Sequence, residues 1–391
     1  MVAAEVRASA VAAPPRRALV LIGPTPPPVH GMTTFTAMLL ASPVLAASYR
    51  VLHVDTSDRR TLENMGRLDL TNVRLALAHA AALARVVRRE RPDVVFVQVS
   101  QNAWAYLRDA AFIGIARGLG CRVVTHLNGG YFGEFYRRAH PAVRLLVRRT
   151  SAWLDAAAVL GEGLRPLYDG LVPAERVRVL PNGVEDPFQG TPPARQPHDG
   201  PLRVTYLGTL HRPKGFVDAI EAARLLAQDA QAFRFRFAGT WLEPADEAAG
   251  RAAAAGLANV ELLGVVEGEA KRRLLAESDV LVLPSAYPYE GQPQVILEAM
   301  AAGLPVISTR RAAIPDMVVD GVTGLLVPES APAAIAAALR RLAADPAGRL
   351  RMGRVARQKY EEAFTAAACA ARLVEILDGV CANENRSRIR A

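Results

Sequence analysis

Short apolar runs rich in β-branched residues alternate with longer Ala/Leu/Arg stretches, and the alternation occurs twice along the chain. This confines the fold to parallel βαβ units, because a parallel crossover needs an intervening helix and buries both sheet faces. In the first series Ala18–Gly23 reads as a buried strand, followed by a helix over 32–40 and a strand over 49–54. A helix over 73–89, a strand over 93–99 and a helix over 104–118 come next, then strands over 122–126, 156–160 and 177–180. The second series has strands over 202–207, 233–238, 260–263, 280–284 and 304–308, with helices over 216–228, 331–344 and 347–377. Between the two, residues 186–201 hold Pro187, Gly190, Pro192, Pro193, Pro197, Gly200 and Pro201, a composition that suits a linker. The expected fold class is α/β, with two doubly wound Rossmann-like domains facing across a cleft. The expected domains are an N-terminal extension over 1–17, a first domain over 18–185 and a linker over 186–201. A second domain over 202–365, a C-terminal helix over 366–381 able to cross back to the first domain, and a polar tail over 382–391 complete the plan.

A chain of 391 residues is too long for one ordinary core, in keeping with two domains. The net charge of +9 resides in the first half: residues 1–185 carry 23 basic and 14 acidic side chains, and the remainder carries 24 of each. Such a surplus points to nucleic acid, an acidic membrane or a phosphorylated ligand. No zinc spacing, RNP-like motif or basic helix-turn-helix pattern accompanies it, which argues against nucleic acid as a partner. Only Lys214, Lys271 and Lys359 are lysines, and in an Ala-rich chain the Arg excess is first of all a signature of a GC-rich genome. The stretch 136–149 still reads as a basic amphipathic helix beside Phe132, Phe135 and Tyr136, suited to an anionic membrane. Cys121, Cys369 and Cys381 form neither a disulfide framework nor a zinc set and fit a reducing compartment. The N-terminus does not read as a signal peptide, and no run reaches the ~20 apolar residues of a membrane span. A cytoplasmic protein is expected, with peripheral contact at the inner membrane face.

Candidate ligand groups cluster where predicted strands end. Gly31 follows a Pro-rich turn after the first strand and opens a helix, where free N–H groups suit a phosphate. His126 and Asn128 lie at the end of the strand over 122–126 and can hydrogen-bond a sugar hydroxyl or phosphate. Arg212 and Lys214 bring two cations beside a Gly-helix start, as a departing diphosphate requires. Glu290 and Glu298 stand eight residues apart, one in the loop after the strand over 280–284 and one in the second turn of the following helix. Two carboxylates so placed can each accept a pair of vicinal hydroxyls, and Gly291 lets backbone N–H groups approach the ligand. Each candidate also has a plain alternative: a stiffened turn, a histidine satisfied by backbone, solvated cations, a helix-surface carboxylate.

The stretch from Glu290 to Glu298 resembles the E-x7-E signature of retaining glycosyltransferases of the GT-B fold, the glycosyltransferase family four or group 1 type. The pattern continues in 303–309, Ile314-Pro315-Asp316 and 320–328. Leu180-Pro-Asn-Gly-Val184 resembles the family's interdomain segment, Gly208 to Gly215 its phosphate loop, and Gly23 to Gly31 its amino-terminal glycine loop. The resemblance implies that Lys214 and Arg212 hold a donor diphosphate, that Glu298 binds the ribose, and that Glu290 lies at the transferred sugar. Backbone N–H groups of Gly291, Gln292 and Gln294 would meet the sugar hydroxyls, Val266 the base, and Gly31 the diphosphate after closure. Thr209 stands where many members have Arg, and His126-Leu-Asn128-Gly129 stands where members often show His-x-His-Gly. The cleft histidine therefore corresponds to His126 or to the position of Asn128, and His126 is assigned. The implied activity is transfer of a sugar from a nucleotide diphospho-sugar to an acceptor hydroxyl, with retention of configuration. No side chain is placed as nucleophile, so front-side attack assisted by the donor phosphate is the expected route, with a glycan or lipid-linked molecule as the expected acceptor. No Asp-x-Asp occurs, so neither metal nor cofactor is expected. A nucleotide-sugar epimerase or phosphorylase on the same scaffold, or a nucleic-acid-binding protein, are the competing readings.

Overall fold

A computed structural model describes residues 16–27, 31–57, 70–229 and 232–382; the extension over 1–15, His30 of the glycine loop and most of the polar tail lie outside them. The first unit is built from β1 (Ala18–Gly23), α1 (Gly31–Ala41), α2 (Pro43–Ser48), β2 (Arg50–Asp55), α3 (Leu70–Glu90) and β3 (Val94–Val99). It continues through α4 (Ala103–Gly118), β4 (Arg122–Leu127), α5 (Phe132–Arg138), α6 (Pro141–Ala152), β5 (Ala156–Val159) and β6 (Val177–Val179). The second comprises β7 (Leu202–Leu207), α7 (Phe216–Leu225), β8 (Phe233–Ala238), α8 (Pro244–Ala254), β9 (Val260–Gly264), α9 (Gly268–Glu277) and β10 (Val280–Leu283). After these come α10 (Gln294–Ala301), β11 (Val306–Thr309), α11 (Ile314–Met317), β12 (Gly324–Val327), α12 (Pro332–Ala344), α13 (Pro346–Ala363) and α14 (Ala366–Ala382).

Each unit holds one parallel sheet of six strands, in the orders β2-β1-β3-β4-β5-β6 and β12-β11-β10-β7-β8-β9. Strands β1 and β3 are buried along their whole length, as central strands covered on both faces must be. The fold is the expected pair of doubly wound α/β units, the GT-B arrangement. Helices α2, α8 and α9 and strand β12 were not anticipated, because their apolar spacing is short or interrupted.

Three segments differ from the sequence-based plan. The basic stretch 136–149 is two helices, because Pro141 starts a new one and the His140 ring nitrogen caps it through the Ala142 N–H. Arg137 and Arg138 pair with Glu134 on α5, and Arg148 donates to the Tyr136 hydroxyl at 2.7 Å. The stretch 347–377 breaks at Phe364 and Thr365, where the chain returns to the first unit as α14. There Cys369, Leu373 and Leu377 join Leu19, Leu21, Phe35 and Phe96 in one core, and the Tyr49 hydroxyl donates to Asp378 at 2.7 Å. The Pro-rich segment after Glu185 is irregular but docked on the second unit, not free. Arg195 donates to the carbonyls of Leu275, Ser278 and Ala302, which gather at the ends of α9 and α10.

The two crossings between units lie side by side. Val184 pairs with Thr365 as a parallel bridge, its N–H donating to Phe364 and its carbonyl accepting from Ala366. The Tyr360 hydroxyl adds a bond to the Val184 carbonyl at 3.0 Å. Beside this bridge the buried Arg357 guanidinium grips both Asp186 oxygens, at 2.6 and 3.1 Å. Burial opposes ionisation of Asp186, but Arg357 and the N–H groups of Phe188 and Gly190 outweigh it, so its carboxyl lies below the usual range. Asp186→Ala should therefore lower stability at pH 7 by about 1.5–3 kcal/mol. A depressed carboxyl contributes fully above its unfolded value of about 3.9, and the contribution disappears as pH falls through the folded value. Urea melts across pH 7 to pH 3 should show the gap between wild type and variant closing on the acid side.

Candidate active site

The carboxyl ends of both sheets face each other, and the loops that leave them meet in one crevice. After β4 comes Asn128, whose side-chain amide donates to Gln98 at 3.1 Å; Gln98 in turn donates to Thr36 of α1 at 2.5 Å. After β10 comes the loop through Glu290. A Cβ on Gly130 would lie 2.6 Å from the Glu290 carbonyl, and one on Gly291 would lie 2.9 Å from the Gly129 Cα. Only glycine backbones permit this approach. The rings of Tyr131 and Tyr289 meet across the crevice mouth with centres 4.1 Å apart, and the Thr34 hydroxyl donates to the Gln294 side chain at 3.1 Å. On the same seam Asp316 of α11 takes N–H groups of Glu162 and Gly163 from the first unit, while its burial raises its pKa.

On the second unit, β7 runs into Gly208 and a 3-10 turn, Arg212–Lys214, before α7. Gly215 adopts φ 80°, and a Cβ there would strike the Pro284 carbonyl at 2.3 Å, so glycine is required for the loop to lie against the end of β10. The Lys214 ammonium then sits 3.3 and 3.4 Å from the two Glu290 oxygens and 5.2 Å from the Tyr287 ring centre. Glu290 is 6% exposed and also accepts from the Ser285 hydroxyl at 2.6 Å. One helical stretch away, Glu298 pairs with Lys271 at 2.7 Å through one oxygen, and its other oxygen is buried without a protein partner among the described residues. A buried carboxylate oxygen left in this state suits a hydroxyl donor from a ligand. The first N–H groups of α10 lack helical acceptors and add positive potential beside Glu290.

The structure thus brings Lys214, Glu290, Gly291, Gln294 and Glu298 to one crevice, opposite Asn128 and the amino end of α1 at Gly31. An added Cβ on Gly31 would meet nothing within 4 Å, so the space over that helix start is open. Gly208 lies at the start of the lysine loop with φ 134°, and Val266, two residues past β9, packs against the second core. The Arg212 side chain is exposed, while its N–H is bound by Asp246 at 3.1 Å.

One assignment is corrected. His126 does not reach the crevice: it is fully buried, its ring 4.6 Å from Phe35 and 5.9 Å from Phe96, with Nε2 3.1 Å from the Leu180 carbonyl. Burial depresses its pKa to about 4, against the small opposing effect of the Leu180 bond. It is a neutral core imidazole that ties β4 to the start of the crossing, which leaves Asn128 as the polar group at the surface. Gln292 turns its side chain away from the crevice, its Oε1 accepting from the Asn182 N–H at 2.5 Å. This braces the Leu180-Pro-Asn-Gly-Val184 segment and leaves only the backbone of Gln292 for a ligand.

Sequence reasoning missed Ser285, Lys271, His211 and Asp246. Asp246 is buried, accepts from the Arg212 N–H and pairs with His211 Nδ1 at 2.8 Å, pinning the lysine loop to α8. His211 lay inside a quoted motif, but nothing in the sequence linked it to a residue 35 positions away.

Sheets of this order, facing each other with ligand groups at their carboxyl edges, are those of GT-B glycosyltransferases. A glycosyltransferase from Rickettsia africae superposes with a TM-score of 0.72 over 94% of this chain and 99% of its own, at 15% identity. Anabaena HepE, solved with UDP, gives 0.70 over 93% and 100%, at 17% identity. Residues 201–345 match the family model described as glycosyl transferases group 1, and residues 43–186 match that of glycosyltransferase family 4. The chain belongs to the group 1 glycosyltransferases of the family-four type. It is 34% identical over 210 residues to the amylovoran biosynthesis glycosyltransferase AmsK of Erwinia amylovora, covering 53% of this chain and 51% of that protein. It is 31% identical over 268 residues to the α-maltose-1-phosphate synthase of Mycobacterium tuberculosis, covering 60% and 67%. The match thus spans about half the length of the amylovoran enzyme.

Gly130→Ala should wedge the units apart, because both sides of the 2.6 Å contact with the Glu290 carbonyl are backbone. Small-angle scattering should record a larger radius of gyration; an unchanged profile would show that the loop yields locally.

Proposed function

We propose that the protein transfers a sugar from a nucleotide diphospho-sugar to an acceptor hydroxyl with retention of configuration. The observation that carries this reading is Glu290, buried at the crevice, charge-paired with Lys214 and held by Ser285, with the half-satisfied Glu298 beside it. In this reading the Lys214 ammonium turns to the donor diphosphate, and Glu290 accepts from hydroxyls of the transferred sugar while keeping its bond to Ser285. Glu298 takes a ribose hydroxyl on its unpartnered oxygen. An acceptor oxygen attacks the anomeric carbon as the bond to the diphosphate breaks. The acceptor proton passes to a departing phosphate oxygen on the same face. Lys214, Arg212 and the amino ends of α1 and α10 supply the positive charge that steadies the leaving group, so the step is proposed to be metal-independent. Closure of the units excludes water, which would otherwise compete as acceptor.

The substrate class follows from relatives named for amylovoran and colanic acid biosynthesis, and from HepE, solved with UDP and with UDP-glucose. A uridine diphospho-sugar and a glycan or lipid-linked acceptor are therefore the first substrates to test, with polysaccharide or glycolipid synthesis as the setting. All three cysteines are free and buried, which supports a cytoplasmic setting, with peripheral contact at an anionic membrane face.

A thermal-shift screen of UDP-, GDP- and ADP-sugars should find one donor that raises the melting point, as binding to the folded form alone requires. Lys214→Ala should reduce turnover at least a hundredfold with that donor. Glu290→Gln should abolish transfer while leaving the melting point near wild type. If no donor and no nucleoside diphosphate shifts the melt, the reading fails.

A further inference from the structure

Helix α3 is long and apolar enough to cross a membrane by length and composition, yet only 11% of its most apolar stretch is buried. Its inward contacts come from Leu83 and Val87. Leu70, Val73 and Leu77 recur at three- and four-residue spacing and form a second, outward stripe. Leu77 is 67% exposed. Across from it on α4, Trp104 and Leu107 are also exposed, and the two helices enclose an apolar groove of about 460 Å³. Ordinary soluble surfaces scatter such side chains singly and do not pair them across a groove.

The exposed charged side chains of α3 are all basic. Arg88 lies five helical turns beyond Leu70 and in line with it, and Arg74 and Arg85 follow one border. All three are exposed, and none forms an ion pair among the described residues. The groove and the crevice both lie at the carboxyl edge of the first sheet. One end is lined by Thr56, just past the carboxyl end of β2. The loop that opens α4 carries Gln101, whose side chain accepts from the Tyr131 N–H at 2.6 Å at the crevice mouth.

We propose that the α3–α4 face is where the first unit rests on a bilayer bearing anionic headgroups. Leu70, Val73, Leu77, Trp104 and Leu107 enter the headgroup boundary, and Arg74, Arg85 and Arg88 meet lipid phosphates. An indole edge with an apolar body suits that depth. Partial insertion of one helix face, with Leu83 and Val87 kept on the sheet, accounts for an apolar helix that does not bury itself. The consequence is directional: an acceptor anchored in the same bilayer would rise along the groove to Tyr131 and the crevice. This inference rests on the proposed membrane contact but not on the transferase reading, and it moves that contact from α6 to α3 and α4.

The test uses the full chain and sedimentation with vesicles of phosphatidylcholine alone or with 30% phosphatidylglycerol added. Wild type should bind the anionic vesicles and lose at least tenfold in affinity on neutral ones or at high salt. Leu77→Asp, and separately the triple change of Arg74, Arg85 and Arg88 to Glu, should each reduce binding at least tenfold with the melting point retained. Trp104→Phe should keep binding and lose the blue shift of tryptophan emission that wild type shows on vesicles. The same reversal at Arg144, Arg148 and Arg149 should have little effect. Absence of wild-type binding, binding that survives Leu77→Asp, or loss confined to the α6 reversal would each overturn the proposal. So would a concentration-dependent dimer that Leu77→Asp dissolves, which would give the face to a second copy. None of these outcomes alters transfer to a water-soluble acceptor, so failure here is distinct from failure of the transferase reading.

Discussion

Two strands of chain pass between the units, and they pass as a pair. Val184 leaving the first unit and Thr365 leaving the second are hydrogen-bonded side by side, with Tyr360 and the Asp186–Arg357 pair fastening them to the second unit. That pairing sets where the second sheet stands relative to the first, and it brings both carboxyl edges onto one crevice. It also explains two local features: the helix break at Phe364 and the docking of the Pro-rich segment. A buried Arg357 needs Asp186, so the start of that segment cannot hang free.

The crevice chemistry follows from this placement. Each unit alone offers backbone N–H groups and a few polar side chains at strand ends, as parallel sheets generally do. Facing each other, they confine Glu290 between Lys214, Ser285 and the glycines of the opposite loop. Burial makes each charge partner matter more, since water no longer screens it. The same confinement explains why glycine stands at 130 and 291, where two backbones approach too closely for a side chain.

Much of this was legible beforehand because strand ends are legible. A β-branched run that stops at a glycine or proline marks the edge where ligands gather, and the two carboxylates eight residues apart were readable as a loop and a helix position. The misreadings share a cause. His126 stands at the last turn of the strand pattern, and sequence cannot show that its ring points into Phe35 and Phe96 instead of outward. Asp246 and Lys271 come from helices whose apolar pattern is weak, and their partners are far away in the chain. The basic stretch after Tyr136 reads as one amphipathic helix by its charge and apolar spacing, but Pro141 divides it.

Local pattern is enough for the class of architecture, two rounds of βαβ, because burial on both sheet faces demands continuous apolar strands separated by helices. It also determined the family, through spaced glycines and carboxylates whose backbone and acceptor properties do not depend on distant residues. Which polar groups reach the crevice, how the two crossings lock together, and that α3 keeps an apolar stripe on the outside emerge from the folded chain alone. Those outcomes rest on contacts between residues far apart in the chain, and on which way a side chain leaves its backbone, which local pattern does not encode.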